Sequence, residues 1–156
     1  AVVSRGLGDV YKRQMLCGTV LGAQRGALAV LLFITLTALG LPLLSGGRGG
    51  LGVFASPSVG FIVGFPLAAF VAGWITSKLK LINVFYSSLL GALVGGILIL
   101  YIPGIVGMSI MLDKSISEAA LIALIYLPGD CIKAFLCAML THTLFKLRPE
   151  NVLSRI

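Results

Sequence analysis

Near its C-terminal end the chain reads IYLPGDCIKAFL, a run that is apolar except for an acid, Asp130, and a base, Lys133. A carboxylate accepts hydrogen bonds from N–H groups, and an ammonium complements an anion. Together they suit a solute with amide-like donors at one end and a negative charge at the other. At the centre of a membrane span each costs about 2.5–3.5 kcal/mol on insertion scales, so ionisable residues there point to function. Their spacing of three places both on nearly the same helix face. Pro128 removes a backbone donor and, with Gly129, is predicted to interrupt the helix, leaving Asp130 near the start of a second half. A broken helix facing a cavity is a recurring way to hold a polar solute within a bilayer. The alternative is structural: Asp130 caps the half-helix and Lys133 neutralises it. A cation in the first turn works against the helix dipole, which favours an anionic visitor.

The second candidate is SGGRGGLG, residues 45–52. Gly47, Gly49 and Gly52 match the dinucleotide fingerprint formally, but no strand–helix unit surrounds them, and G-K-[ST] is missing. The loop reads as backbone that can approach a ligand because no side chains obstruct it, or as a plain flexible turn. Catalysis is poorly supported. The remaining acids after residue 14, Asp113, Glu118 and Glu150, fall in or near presumed loops or the tail, so no carboxylate dyad forms. His142 lacks the companions of a metal site. Cys17, Cys131 and Cys137 have no C-x-x-C spacing and read as small apolar fillers. The chemistry is that of a binder, with no catalytic residue, cofactor or metal.

The elements that must position these residues are membrane helices. Of 156 residues 58% are hydrophobic and 11% charged, and the mean hydropathy is +1.09. Such a composition belongs to a polytopic all-α membrane protein surrounded by lipid. The net charge of +7 comes from scattered basic residues without interleaved aromatics, so nucleic acid is not implied. Four apolar segments are predicted, at about 26–44, 54–76, 82–106 and 118–146, the last interrupted at Pro128-Gly129; MLCGTVLGAQ before them reads as the end of an earlier helix. If the spans alternate, Arg25, Lys78, Lys80, Lys146, Arg148 and Arg155 fall on one side, Arg48 and Lys114 on the other. The positive-inside rule makes the first side, with the C-terminus, cytoplasmic. Trp74 fits an interfacial anchor. Small residues four apart, Gly91 with Gly95, Ala92 with Gly96 and Ala68 with Ala72, suit close helix packing, either inside the bundle or against a partner.

Residues 1–14, AVVSRGLGDVYKRQ, are polar and unlike the rest. They have neither the apolar core of a signal peptide nor the pattern of a transit sequence. They resemble a translated sequencing adaptor and are set apart as a non-native extension, with the transmembrane domain over 15–156. On this reading the native protein begins upstream.

The stretch LGLPLLSGGRGGLGVFASPSVGFIVGFPLAAFVAGW followed by YLPGDCIKAFLCAML resembles BioY, the biotin-specific substrate-binding (S) component of energy-coupling factor (ECF) transporters. The likeness runs from about residue 15 to 148, with the glycine loop, G-F-x-x-G-F-x-x-A-A and P-G-D-x-x-K in the family's order. It implies a six-helix bundle in a bacterial or archaeal plasma membrane, about four helices of which lie in this chain. The first helix, its following loop and most of the second are missing from the pattern. It also implies that biotin is captured from outside and that the chain works with a membrane-embedded coupling protein and two ATPases. Asp130 would hydrogen-bond the ureido ring and Lys133 would face the valerate carboxylate. Gly46, Gly47, Gly49, Gly50, Gly60, Phe61 and Phe65 would close around the bicyclic ring. The family's Gly-Pro-Thr-Gly-Gly is here Ser56-Pro57-Ser58-Val59-Gly60, and Val59 in place of glycine is expected to narrow the pocket or redirect the loop. Two other readings stay open: a component for another vitamin, and a structural membrane protein with an interhelical Asp–Lys pair.

Overall fold

A computed structural model of the chain describes residues 14–44 and 49–156. The adaptor-like stretch therefore lies outside the described residues except for Gln14. The architecture is all-helical. Helix α1 covers 14–21 and meets α2 (Ala23–Ala38) at Gly22, whose positive φ of 85° allows the sharp turn. A loop with a short 3₁₀ turn (Leu51–Ala55) leads to α3 (Val59–Lys78). Helices α4 (Val84–Leu93) and α5 (Leu100–Leu112) run on through a π-helical segment, Val94–Ile99. A broken pair, α6 (Ile116–Leu124) and α7 (Leu127–Leu147), completes the bundle.

Of the four predicted spans, the second is α3. The third is longer than predicted, extending through α4 and α5 for 29 residues to Leu112. Pro103 does not end it; the proline packs between Gly60 and Gly64 of α3. The first is shorter, since α2 has 16 residues, about 24 Å. It stops before Gly40, at φ 104°, and Pro42. The fourth is the bent pair, with 53° between its halves.

Close approach of the helices follows from the small-residue stripes. A Cβ on Gly91 would lie 2.5 Å from the Ala72 carbonyl oxygen, and one on Gly95 would lie 2.5 Å from that of Ala68. Gly96 receives Met15, and Gly18 rests against Ala69 and Ala72. The Gly91–Gly95 and Ala68–Ala72 stripes therefore pack against one another, and Gly96 of the third packs on Met15. Between α1 and α7, Thr19 and Thr141 join hydroxyls at 2.9 Å, with Cys137 Sγ at 3.5 Å from Thr19. Cys137 fills a core position, as expected of a small apolar residue.

The C-terminal residues fold back onto one end of the bundle. Val152 and Ser154 are buried. The Ser154 N–H donates to the Val20 carbonyl at 3.1 Å, and its hydroxyl donates to that of Thr19. Arg155 donates to the carbonyls of Leu79 and Ile82 and to Ser87 Oγ. Desolvation by its neighbours lowers its pKa from the ordinary arginine value. Lys80 reaches the Ile156 carbonyl at 2.6 Å, and Arg25 and Trp74 line an open cleft with Ile156. Arg25, Lys80 and Arg155 thus share one end, the grouping that the positive-inside rule assigns to the cytoplasm.

Candidate solute-binding site

The break in the last span is set by proline chemistry. In a continuous helix residue 128 would donate to the Leu124 carbonyl, but Pro128 has no N–H. The helix ends at Leu124, the turn falls at Ile125 and Tyr126, and Pro128 sits in the first turn of α7, where no donor is needed. Tyr126, rather than Asp130, occupies the N-cap position. The Asp130 N–H bonds the Tyr126 carbonyl at 3.0 Å, so Asp130 lies inside the helix and does not cap it. Lys133 is in the second turn, largely beyond the reach of the end dipole.

Asp130 is 2% exposed. Its Oδ1 accepts from Lys133 Nζ at 2.7 Å and its Oδ2 from the Tyr101 hydroxyl at 2.8 Å. Each carboxylate oxygen keeps acceptor capacity for a further donor. Lys133 keeps 21% of its side chain accessible, so its ammonium is positioned at the edge of the buried cluster. Sequence reasoning missed Tyr101. Its signal was weak: a hydroxyl within an apolar helix that needs a partner when buried.

Phe61 and Phe65 come to the same region from α3. The Phe61 ring stands edge-on to Tyr101, with centroids 5.9 Å apart and planes at 87°. Phe65 is 1% exposed and borders a cavity of about 10 Å³ with Phe33, Thr37, Leu44, Val53 and Phe54. That is room for roughly one water. Gly60 serves the helix crossing. A Cβ there would lie 2.0 Å from the Pro103 carbonyl oxygen. Val59, the departure at the start of α3, sits beside the same crossing, its Cγ1 near Gly107.

Gly60→Val should therefore lower thermal stability by about 3 kcal/mol, the upper part of the range for overpacking. Gly52→Ala, with no atom within 4 Å of the added carbon, should leave it unchanged. Melting of both variants in detergent checks the pair.

Gly46 and Gly47 lie outside the described residues. Gly49 and Gly50 hold the loop to the end of α2. A Cβ on Gly49 would lie 2.2 Å from the Leu41 carbonyl oxygen. Gly50 has φ 82°, and its N–H donates to the Thr37 carbonyl at 2.7 Å. In the described part, then, a glycine N–H engages the protein itself.

The BioY family model matches residues 13–150. The chain is 43% identical over 150 residues to the biotin transporter BioY of Rhodobacter capsulatus, covering 90% of this chain and 79% of that one. Its likeness to the biotin transporter BioY of Rhizobium etli is 44% over 133 residues, covering 81% and 70%. The fold matches a solved S-component for biotin from an ECF-type ABC transporter, with a TM-score of 0.81 and 29% identity, covering 87% of this chain and 73% of that one.

Proposed function

The chain belongs to the BioY family, and on that premise we propose that it is the membrane substrate-binding component that captures biotin for an ECF-type transporter. The observation that carries this reading is the buried Tyr101–Asp130–Lys133 cluster at the break of the last span. Biotin has a cyclic urea at one end, an apolar thiolane and chain in the middle, and a carboxylate at the other end. Asp130 accepts from a ureido N–H, Lys133 meets the carboxylate, and Phe61 and Phe65 supply the apolar wall. Gly46, Gly47, Gly49 and Gly50 belong to the loop that closes over the ring, and Gly60 sets the helix crossing beside Phe61.

With the basic residues at the cytoplasmic end, the cluster lies toward the outer half of the bundle, where a solute arrives from outside. In this role the chain binds and delivers, and it is not an enzyme. The sequence holds no G-K-[ST] phosphate loop, so ATP hydrolysis belongs to partners: a membrane-embedded coupling protein and two ATPase subunits. Equilibrium binding to the full-length protein in detergent tests the ligand. Saturable biotin binding that excess thiamine and riboflavin leave unchanged is the expected result. Indifference to biotin, with binding of either other vitamin, would overturn it.

A further inference from the structure

We propose that Tyr101 reads the ureido carbonyl of biotin, so that Tyr101 and Asp130 together form a donor–acceptor pair matched to one edge of the cyclic urea. The inference rests on the biotin reading above. A cyclic urea shows an N–H and a C=O side by side on each edge. Its two N–H groups diverge, so one carboxylate faces only one edge and, being acceptor-only, cannot serve the adjoining carbonyl. Lys133 holds Oδ1 of Asp130, and the Tyr101 hydroxyl stands against Oδ2 at 2.8 Å. A phenol both donates and accepts, and its hydrogen turns about the C–O bond. In the structure that hydrogen points to Oδ2. When a urea edge arrives, the hydrogen swings to the ring carbonyl and Oδ2 takes the ring N–H in its place. One donor and one acceptor thus exchange partners, and none is left buried without one.

The surroundings fix the phenol and leave only its hydrogen to move. Phe61 stands edge-on to the tyrosine ring. Gly104 makes space for Phe61, since a Cβ there would lie 2.4 Å from the phenylalanine ring. A ring pinned in this way presents its oxygen at a fixed place, which is what a specificity-determining group needs. The pairing selects for a ring that carries N–H and C=O on the same edge, whatever fills the rest of the bicycle.

The test is Tyr101→Phe in the full-length protein, with equilibrium binding of three ligands. These are biotin, desthiobiotin (urea kept, sulfur absent) and the diamino acid made by removing the urea carbonyl. Biotin and desthiobiotin should each weaken by about 10–100-fold, the effect of leaving a buried acceptor without its donor. The diamino acid, which has no ring carbonyl, should stay within about threefold. Biotin binding unchanged in the variant would overturn the inference, as would equal losses for all three ligands, which mark general damage to the site. Wild-type protein that fails to bind biotin overturns the biotin reading and this inference together; normal wild-type binding with no effect of the variant overturns this inference alone. Should the variant not fold, infrared spectra of wild-type protein with ¹³C in the ureido carbonyl decide the matter. The band should lie below that of a biotin ester in an apolar solvent, and an unshifted band overturns the inference.

Discussion

Lys133→Ala should weaken biotin at least about 100-fold while weakening a neutral biotin amide less than about tenfold. The first figure corresponds to roughly 3 kcal/mol, within the range for truncating one member of a buried, hydrogen-bonded charge pair. The difference between the ligands matters more than either loss. In the structure Lys133 neutralises Asp130 at 2.7 Å, so the alanine variant also leaves the buried carboxylate without its counter-ion, with the Tyr101 hydroxyl still donating to it. That disturbance acts on both ligands. Only the free acid loses a counter-ion for its own charge as well. The lysine stem is long and its head lies at the edge of the cluster, so the ammonium can swing from Asp130 toward a carboxylate at the other end of the ligand. Titration of the two ligands into wild-type and variant protein measures the effect. Equal losses would remove Lys133 from carboxylate recognition.

Much of this arrangement was legible because lipid makes polar residues conspicuous. Asp130 and Lys133 stand out in an apolar run, and their spacing alone predicts a shared helix face. The glycine and alanine stripes likewise announce close crossings, and Gly91 and Gly95 meet Ala72 and Ala68 of α3. Tyr101 was less visible. It lies 29 residues from Asp130, and no local pattern links the two until the fold brings the start of α5 to the first turns of α7. The third span runs past its predicted end to Leu112, and Pro103 stays inside the helix because Gly60 and Gly64 of α3 give it a seat. In the tail only the basic charge was legible. Its role in binding the turn after α3 depends on carbonyls of Leu79 and Ile82, backbone groups that carry no sequence signature.

Replacing both charges, Asp130→Leu with Lys133→Leu, should abolish biotin binding, by at least about a thousandfold given that each truncation alone removes several kcal/mol, while keeping the melting temperature at or above that of the wild type. Lys133→Leu alone should instead destabilise by about 3–5 kcal/mol, because it leaves the buried Asp130 carboxylate uncompensated, and Asp130→Leu alone by less, because the Lys133 head lies at the edge of the cluster. The contrast follows from desolvation. Two ions brought out of water recover through mutual attraction only part of what burial costs, so a well-packed apolar pair is often as stable or more so. Here Asp130 is 2% exposed and its partner is one helical turn away, which makes the pair costly to retain for stability alone. A structural protein would gain from its loss, and a carrier of an anionic, urea-containing solute would lose its ligand. Thermal melts and biotin titrations on the two single variants and the double variant form one cycle. A double variant that still binds biotin would show that the charges serve the fold. One that unfolds as readily as the singles would show that Tyr101 and its neighbours depend on Asp130 for their packing, and the pair would then belong to the scaffold as much as to the site.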